Sequence, residues 1–388
     1  MSFKKKIVFF SGNRSDYSIQ EPIIKILKKK TKHNISLIVS GSHTNSKMVG
    51  STFKYLIHNL KFFKITIKGD FNNTKSINIF NTNFQKKFSN LLNYLKPDFI
   101  FLTGDRYETF CAGFCAFLFR IPIIHIEGGD MTLGGTYDDV IRHSLSRLSS
   151  FHLVTNKLSE KRLNKWDEKN KAIFNIGYPP GEEINKKEYA NKIEVEKKFK
   201  LKSDQKLIIF TFHPTKNIKS KKKDYDIILK ILKNLSEKYK IIITYPNFDP
   251  GYKEIIKIYE KLKNHRNILI KKNLGKYMYY GILNYCGRFG NGFCMGNSSS
   301  GIKEAIFFKC FVLNLGERQF GRLAPKNVLN VDINYKKILS KIKLIRRKKK
   351  IKNEINNPYM VSNFEKKIID TSKIIFKKKN SQFKIFNI

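Results

Sequence analysis

Short apolar segments alternate with helical patterns along the whole chain, and this alternation restricts the fold more than any other feature. The first series of predicted strands, rich in β-branched and aromatic residues, comprises residues 7–10, 35–39, 62–67, 99–102, 122–125 and 151–154. Between them, apolar residues at a spacing of three to four predict helices over 19–30, 77–95 and 108–119. Strands that alternate with helices favour a parallel sheet covered on both faces, so the chain is predicted to be an α/β protein.

A second series of the same kind occupies the other half of the chain. Its predicted strands are residues 207–212, 241–244, 268–270, 293–295 and 311–315. Because 388 residues suit two domains, we predict two Rossmann-like domains, over 1–181 and 206–360, with a central cleft between them. The charged stretch 182–205 is predicted to be the hinge. An amphipathic pattern in 361–388 predicts a C-terminal helix that packs back on the first domain.

The net charge of +45 bears on the choice of partners. Such a charge is typical of proteins that bind nucleic acids. The cationic residues are mostly lysines, however, and they are spread along the chain without the interleaved aromatic residues of a nucleic-acid surface. We therefore favour a solvated lysine coat over a specific nucleic-acid site. Weak, non-specific binding to polyanions at low salt is compatible with that coat.

The apolar runs and the cysteines predict a cytoplasmic protein that has no membrane span. No apolar run reaches the roughly 18 residues of a transmembrane helix, and the run after Lys6 is too short for the core of a signal peptide. The five cysteines include no Cys-x-x-Cys pair, which argues against a disulfide framework and against a zinc site. Cys111 and Cys115, one helical turn apart among small apolar residues, are predicted to lie in the core.

Polar clusters follow the predicted strands of the first half, at the strand ends where parallel sheets bind ligands. In segment 11–17, Arg14 and Asp16 could hold an anion at the start of a helix, although a simple turn capped by Asp16 explains the same residues. In segment 103–108, Arg106 can keep the neighbouring Asp105 ionised and directed into a cleft. A capping aspartate beside a surface arginine is an equally good explanation.

Segments 125–130 and 138–143 carry a denser set of ionisable residues. Two carboxylates, a histidine and paired glycines within six residues are difficult to explain by packing, because buried carboxylates are costly. The acids at the start of the second segment could serve the helix dipole, but with Arg142 they lie near one side of the predicted helix. We assign function to Glu127 and Asp138, whereas a structural role explains His143 equally well.

The second half of the chain places its own polar residues after strands. His213 ends the first of these strands and Asn247 follows the second; a histidine before proline is more often structural, although a strand end favours function. Segment 296–304 runs from a strand into a helix with three serines and two glycines, which suits a diphosphate, but it lacks the ending of a P-loop. Glu304 is placed to hold ribose hydroxyls, and Arg318 lies in a loop with a second arginine. A capped serine-rich helix plus a loop leaves these arginines unexplained.

Together these motifs resemble the UDP-N-acetylglucosamine 2-epimerase family, specifically its hydrolysing branch. The resemblance runs from about Lys6 to Asp332 and rests on six motifs in order: Asn-Arg-Ser-Asp-Tyr, Gly-Asp-Arg-Tyr-Glu, His-Ile-Glu-Gly-Gly-Asp, Asp-Asp-x-Ile-Arg-His, Gly-Asn-Ser-Ser-Ser-Gly and Gly-Glu-Arg-Gln-x-Gly-Arg. It implies a fold of the GT-B type, in which the C-terminal domain holds most of UDP.

The resemblance also implies the reaction, in which UDP-N-acetylglucosamine and water give N-acetylmannosamine and UDP through a glycal, for the synthesis of sialic-acid-like sugars. By resemblance, the acid/base carboxylates are Asp105, Glu127 and Asp138, and His213 contacts the phosphates or the sugar. The residues expected to bind UDP or the sugar are Arg14, Asp16, Arg106, Arg142, Asn247, Ser298, Ser299, Glu304 and Arg318. No cofactor and no metal ion is implied, and a homodimer or homotetramer is expected.

Departures from the family pattern concern the sugar. Asp130 stands where the family often has glutamate, and the stretch 131–137 is slightly longer than usual. Because this loop is expected to border the sugar, the same reaction on a UDP-2,4-diacetamido-2,4,6-trideoxy sugar, as in legionaminic-acid synthesis, is the alternative. A GT-B glycosyltransferase would share the nucleotide-binding half but leaves the carboxylates of the first domain unexplained. A basic polyanion-binding protein is the third interpretation.

Overall fold

The chain divides into two compact units, each built around one parallel sheet. The computed structural model describes residues 4–44, 60–67, 74–134, 137–166, 172–215, 221–247, 251–348 and 356–377. Unit 1 comprises Met1–Asp130, Tyr137–Glu182 and Tyr359–Ile388, and unit 2 comprises Met131–Thr136 and Glu183–Pro358. Two parallel-sheet α/β units confirm the predicted fold class.

The sheet of unit 1 has seven parallel strands in the order β3-β2-β1-β4-β5-β6-β7. Its strands are β1 Lys6–Ser11, β2 Asn34–Val39, β3 Lys61–Lys64, β4 Phe99–Thr103, β5 Ile123–Ile126, β6 Phe151–Val154 and β7 Ile173–Asn175. Six of the seven were predicted. The seventh, β7, is only three residues long and half-buried, so its sequence lacks the fully apolar run that marks the inner strands.

Within the described ranges, five helices lie between the strands of unit 1. They are α1 Arg14–Lys30, α2 Thr74–Leu95, α3 Tyr107–Leu118, α4 Asp138–Leu148 and α5 Lys157–Trp166. The apolar spacing placed the start of α1 at residue 19, but a capping box between Asn13 and Asp16 begins the helix at Arg14. Cys111 and Cys115 of α3 are buried, as predicted.

Unit 2 repeats the plan with six parallel strands in the order β10-β9-β8-β11-β12-β13. Its strands are β8 Leu207–Thr211, β9 Lys240–Thr244, β10 Ile268–Lys271, β11 Gly292–Gly296, β12 Val312–Leu315 and β13 Val328–Val331. This order is that of a Rossmann-type doubly wound sheet, and the first six strands of unit 1 follow it too. The last strand, β13, was not predicted; it lies at the edge and is half-buried over most of its length.

Helices also occupy the stretch 182–205, which was predicted to be a hinge, and continue through unit 2. They are α6 Gly181–Asn185, α7 Lys192–Phe199, α8 Lys221–Leu235, α9 Tyr252–Glu260, α10 Lys276–Gly287, α11 Ser299–Lys303 and α12 Tyr335–Lys348. Helix α7 starts at a capping box, buries Val195 and Phe199, and packs against α10. The stretch from Glu183 onward is therefore a folded part of unit 2, although its composition is that of a solvated linker.

The last helix, α13 Phe364–Lys377, packs on α1 within unit 1. The Phe376 ring lies 5.0 Å from that of Phe99 and 5.1 Å from that of His33, and Lys30 pairs with Glu365 at 3.1 Å. The C-terminal segment is thus held by aromatic packing at the amino end of the sheet. Within the described ranges, none of the helices has the length and hydropathy to cross a membrane.

Candidate active site

The predicted catalytic carboxylates of unit 1 follow neighbouring strands. Asp105 follows β4, and Glu127 follows β5, which pairs with β4. Because the strands are parallel, their carboxyl ends meet at one edge of the sheet. Asp138 is the first residue of α4, and the same helix carries Arg142 one turn further along.

Arg142 lies at the centre of this group, with 1% of its surface exposed. Its guanidinium forms ion pairs with Asp105 and, at 2.7 Å, with Asp139, and it donates to the backbone carbonyl of Asp130 at 3.1 Å. These partners belong to the segment after β4, the segment after β5 and the start of α4. Through these bonds Arg142 holds the three carboxylate-bearing segments together, and its contact with substrate stays a prediction.

Glu127 has an unusual backbone. Its φ angle is +69°, in the left-handed region that side chains with a Cβ rarely adopt, and only 8% of its surface is exposed. Its amide donates to the carbonyl of Leu153 in β6 at 3.1 Å, which ties the residue to the sheet. Backbone strain of about 1–3 kcal/mol persists only where the surroundings enforce it, and such residues cluster at functional sites.

His125 fixes the strand ends beneath these carboxylates. Its buried ring lies 2.9 Å from the carbonyl of Gly104 through Nε2 and 3.0 Å from the Ser146 hydroxyl through Nδ1. A carbonyl can only accept, so Nε2 carries a proton. His125 therefore cross-links β5 to the residue before Asp105. His143, by contrast, packs its ring against Trp166 at 4.8 Å, in agreement with the structural explanation of that residue.

A second charged group lies after β1. The buried Asp16 accepts hydrogen bonds from the amides of Gly12 and Asn13, both at 3.3 Å, and Arg106 donates to the fully buried Glu108 at 2.8 Å. Burial raises the pKa of Asp16 to about 8; Arg106 opposes this shift and Glu108 adds to it. Through these bonds Asp16 and Arg106 organise their loops, and their contact with substrate stays a prediction. Arg14 remains exposed at the start of α1.

In unit 2, a buried asparagine has the central role. The side chain of Asn297, 0% exposed, accepts from the amide of His213 at 2.6 Å and donates to the carbonyl of the same residue at 2.9 Å. The backbone carbonyl of Asn297 accepts from Arg318 at 3.2 Å and from Gln319 at 2.8 Å. The side chain and the backbone of this one residue thus join the ends of β8 and β11 to the loop that carries Arg318.

The ring of His213 is oriented by the segment that contains Asn247. The amide of Asn247 donates to Nδ1 of His213 at 3.2 Å. A nitrogen that accepts a hydrogen bond carries no proton, so the neutral ring has its proton on Nε2 and can donate there. His213 and Asn247, predicted from separate strand ends, are therefore adjacent.

The serine-rich turn differs from its predicted form. Ser298 precedes α11, but α11 has only five residues, and the 3₁₀ turn Ala305–Phe308 follows it, so the positive end of a long helix is not available here. Gly296 has φ +132°, and a Cβ there would lie 1.9 Å from the carbonyl of Thr211, which explains the glycine before the turn. Ser299 is the first residue of α11 and is half-buried.

Two tyrosines of α10 contact this turn. The Tyr279 hydroxyl lies 2.6 Å from the hydroxyl of Ser300, which in turn donates to Ser298 at 3.1 Å. The Tyr280 hydroxyl donates to the Glu304 carboxylate at 3.4 Å. Burial raises the pKa of Tyr279 well above its ordinary value, so this phenol stays protonated and can only orient the serine hydroxyls.

The loop predicted to border the sugar lies in unit 2. The amide of Leu133 donates to the carbonyl of Phe320 at 3.0 Å. A Cβ on Gly134 would approach the backbone of Arg318 and Glu317 to about 2.6 Å, so glycine permits the close contact. The first part of the loop 131–137 therefore packs beside the Arg318 segment; residues 135 and 136 lie outside the described ranges.

Several residues that organise the site were not predicted. Asp139 and Glu108 were taken together with their neighbours, and Asn297 was quoted only as part of the serine-rich motif. Their signal in the sequence is adjacency to a predicted site residue. Asp139 and Glu108 bond to arginines only three and two positions away, whereas the partner of Asn297 lies 84 positions away, where adjacency gives no signal. Among the described residues, no group of three or more His, Cys, Asp or Glu could hold a metal ion.

Comparison with known proteins identifies the family of this chain. The family model described as UDP-N-acetylglucosamine 2-epimerase matches residues 25–373. The chain is 32% identical over 347 residues, 85% of each chain, to the GDP/UDP-N,N'-diacetylbacillosamine 2-epimerase (hydrolyzing) of Campylobacter jejuni. It is 28% identical, over 90% of each chain, to the UDP-N,N'-diacetylbacillosamine 2-epimerase (hydrolyzing) of Legionella pneumophila.

A solved structure shares the fold. The UDP-GlcNAc 2-epimerase from Neisseria meningitidis, bound to UDP-GlcNAc, superimposes with a TM-score of 0.77 at 20% identity. The match covers 95% of this chain and 100% of that one. The two-unit α/β architecture is therefore that of a known group of nucleotide-sugar enzymes.

Proposed function

Because this chain belongs to the UDP-N-acetylglucosamine 2-epimerase family, we propose that it is a hydrolysing UDP-sugar 2-epimerase. The reaction removes the C2 proton of a 2-acetamido sugar while the bond between C1 and the diphosphate oxygen breaks, which releases UDP and leaves a glycal. Water then adds its hydroxyl to C1, and a proton returns to C2 on the opposite face. The products are UDP and the 2-epimeric free sugar.

The observation that supports this proposal best is the group of carboxylates held at the edge of unit 1. Removal and return of a proton at one carbon need acid/base groups at fixed positions. Asp105, Glu127 and Asp138 are three carboxylates on three segments, and Arg142 bonds to residues of all three segments. We propose that these carboxylates carry the proton transfers and that Arg142 sets their positions.

The edge of unit 2 suits a diphosphate leaving group. We propose that Arg318 and the Nε2 proton of His213 stabilise the negative charge that develops on UDP as the C1–O bond breaks. Ser298, Ser299 and Asn247 would add hydrogen bonds to UDP, and Glu304 would accept from ribose hydroxyls. Arg14 is proposed as a further cation that binds the substrate. Elimination of UDP across C1 and C2, followed by addition of water across the same bond, gives no net oxidation or reduction of the sugar, so the reaction calls for no redox cofactor.

The identity of the sugar depends on the substituents at C4 and C6. Both curated relatives described above are named for N,N'-diacetylbacillosamine, whereas the solved relative at 20% identity holds UDP-GlcNAc. Because the relative at 32% identity is named for N,N'-diacetylbacillosamine, we propose that a UDP-2,4-diacetamido-2,4,6-trideoxy sugar is turned over more efficiently than UDP-N-acetylglucosamine. The longer loop that packs beside Arg318 is the segment we expect to contact the C4 substituent.

Two further features belong to this proposal. All five cysteines are free and buried, which agrees with the reducing cytoplasm, where nucleotide sugars are expected to be available. We also propose, from the membership of the family, that the enzyme acts as a homodimer or homotetramer.

The decisive experiment follows the C2 proton. In deuterated water, without any acceptor, the enzyme should release UDP and a free sugar that carries deuterium at C2, as read by proton NMR. Product without deuterium at C2 would refute the mechanism. A strict requirement for an acceptor would instead favour a glycosyltransferase.

Two isosteric variants connect the carboxylates to this chemistry. Asp105→Asn and Glu127→Gln should each abolish turnover while UDP binding, measured by calorimetry, stays nearly unchanged. Near-normal rates in either variant would remove that residue from the proton transfers. The same assay with both candidate sugars decides the substrate, because the proposal fails on that point if kcat/KM is higher for UDP-N-acetylglucosamine.

A further inference from the structure

The segment that carries Arg318 combines anchored polar side chains with an exposed aromatic ring. Arg318 and the buried Gln319 donate to the backbone carbonyl of Asn297, and Arg322 donates to Gln319 at 2.7 Å. Phe320 lies between these residues along the chain, yet 40% of its surface is exposed. The bonds to Asn297 and Gln319 therefore fix the segment and leave the ring of Phe320 on the outside.

Leu133 lies beside Phe320 and is held there by its backbone. Its amide donates to the carbonyl of Phe320 at 3.0 Å, and 54% of its surface is exposed. Gly321 has φ +85°, and a Cβ on it would lie 3.4 Å from Cγ of Leu133, so the leucine side chain rests on the glycine. The neighbouring Thr132 is 2% exposed. This loop therefore buries its threonine and leaves its leucine at the surface of unit 2.

We call Leu133 and Phe320 the apolar step. Contiguous exposed apolar side chains mark surfaces that contact ligands or partners, whereas single ones scattered over a protein need no explanation. In a chain with 28% charged residues, the segment 131–134 contains no acidic or basic residue. The apolar step thus differs in chemistry from the arginine that lies beside it.

The apolar step lies within reach of a hexose attached to the diphosphate. Two residues of extended chain span at most about 7 Å, so the Cα atoms of Arg318 and Phe320 are no further apart than that. Arg318 is the cation proposed to bind UDP, and the sugar is attached directly to the second phosphate of UDP. A sugar whose diphosphate contacts Arg318 therefore has the apolar step as a neighbour.

We infer that Leu133 and Phe320 contact C6 of the sugar and select a methyl group over a hydroxymethyl group at that carbon. This contact rests on the proposed function, because it requires a UDP-sugar whose diphosphate binds at Arg318. The substituents at C2, C3 and C4 of a 2-acetamido hexose carry amide or hydroxyl groups, and C6 is the carbon that can be a plain methyl group. Apolar side chains gain from contact with a methyl group but cannot bond to a hydroxyl, so they favour the 6-deoxy sugar.

Two sugar nucleotides that differ only at C6 test the inference. UDP-N-acetylglucosamine has a hydroxymethyl group there, and UDP-2-acetamido-2,6-dideoxyglucose has a methyl group. Release of UDP from each gives two values of kcat/KM, and calorimetry gives two Kd values instead if neither is turned over. The wild type should prefer the 6-deoxy sugar by about tenfold in either measure, and Leu133→Ser/Phe320→Ser should reduce this preference to about twofold or less.

Affinity for UDP alone separates recognition of the sugar from damage to the site. UDP lacks the sugar, so the double variant should bind it within about twofold of the wild type. A control in the same unit, Ile193→Ser on α7, replaces an apolar residue that is 73% exposed and should keep both the preference and the UDP affinity. If the double variant does not fold, Leu133→Ala serves instead and should reduce the preference about threefold.

Three results would overturn the inference. They are a wild type without a preference for the 6-deoxy sugar, a double variant that retains the preference, and a double variant that loses affinity for UDP as much as for the sugar nucleotides. Each of these leaves the proposed function intact if UDP and the 2-epimeric sugar are still released. Conversely, a protein that binds both sugar nucleotides with the expected preference and releases UDP from neither would support the contact at C6 and refute the epimerase.

Discussion

The two units share a strand order but hold their site residues by different chemistry. At the edge of unit 1 a buried arginine binds two carboxylates. At the edge of unit 2 a buried asparagine forms two hydrogen bonds through its side-chain amide and two through its backbone carbonyl, and only one of these four bonds has a charged donor. Both Arg142 and Asn297 are at most 1% exposed. A charged centre is the more fragile design, because removal of one partner leaves uncompensated charge behind.

The difference matches the proposed division of work. Proton transfer needs several carboxylates near each other. Their mutual repulsion has to be balanced by a cation that belongs to the protein and stays in place when the products leave. Binding of a diphosphate needs hydrogen-bond donors and cations that are free to contact it. A neutral amide can hold these groups in position, whereas a carboxylate in its place would compete with the diphosphate for them. The predictions below test this contrast in order of expected effect.

The largest effect is expected for Arg142→Met. Loss of the guanidinium should lower kcat by about 100-fold through misplacement of Asp105, and lower the free energy of unfolding by about 3 kcal/mol. UDP affinity, which we assign to unit 2, should remain within about twofold of the wild type. Steady-state kinetics, calorimetry with UDP and urea unfolding measure the three quantities.

The matched control for this variant is Arg147→Met, an exposed arginine on the same helix. Its kcat should stay close to that of the wild type. Arg142→Lys should recover only part of the activity, since an ammonium group cannot reproduce the fork of a guanidinium. A normal kcat in Arg142→Met would show that the charged centre is dispensable.

Asn297→Ala, unlike Arg142→Met, should weaken the binding of UDP. Without the amide, the buried amide N–H and carbonyl of His213 lose their partners, which should cost roughly 1–3 kcal/mol of stability. UDP affinity should fall about 30-fold as His213 loses its side-chain support, whereas the backbone carbonyl that accepts from Arg318 and Gln319 stays in place. The control is Asn327→Ala, because Asn327 is equally buried and donates to the carbonyl of Cys310, away from the strand ends that carry the site.

Asn327→Ala should lose stability and keep UDP affinity. If both asparagine variants bind UDP as the wild type does, Asn297 has no part in nucleotide binding. Calorimetric titration with UDP on each purified variant makes this comparison, provided that circular dichroism confirms the folded state.

Arg318→Ala tests how much a single cation of unit 2 contributes to the binding of UDP. We expect UDP to bind about tenfold more weakly, because a charge-assisted hydrogen bond to a phosphate is lost. Lys326→Ala, an exposed cation that follows the same loop, should have little effect. Equal affinity of Arg318→Ala and the wild type would remove Arg318 from the UDP site.

The smallest effect concerns the pH dependence of stability. Burial holds the pKa of Asp16 near 8, above that of an unfolded carboxyl, so the folded state binds more protons between about pH 4 and 8. This residue therefore makes the protein less stable as the pH rises through that interval. Asp16→Asn should reduce the loss of unfolding free energy between pH 5 and 8 by at least about 1 kcal/mol.

Urea unfolding at several pH values measures this effect. Asp98→Asn, at the exposed amino end of the sheet, is the control and should leave the pH dependence largely as it is. An identical pH dependence in Asp16→Asn and the wild type would contradict the assignment of a protonated Asp16 to the loop after β1.

Much of this protein could be predicted from the order of its residues. Strands β1, β4 and β8 are short apolar runs that can only be buried, and helices such as α2 show their periodicity directly, so the α/β class follows from local patterns. The family was recognisable because its six motifs occur in sequence, and the carboxylates and the serine-rich turn lie within those motifs. Adjacency along the chain was sufficient for all of this.

What the tertiary structure decided is which groups bond to each other. Arg142 meets Asp105 across 37 residues, and Asn297 meets His213 across 84, and no local pattern encodes such pairs. For this reason the internal partners of Arg142, Asp16 and Arg106 became known only from the structure, whereas their contacts with substrate stay predictions. Nor could the sequence show that Phe114 and Phe117 of α3 are exposed, because a helix that is apolar all round does not reveal which side its neighbours will cover. Burial and pairing depend on positions in space, and the sequence specifies these only through the fold.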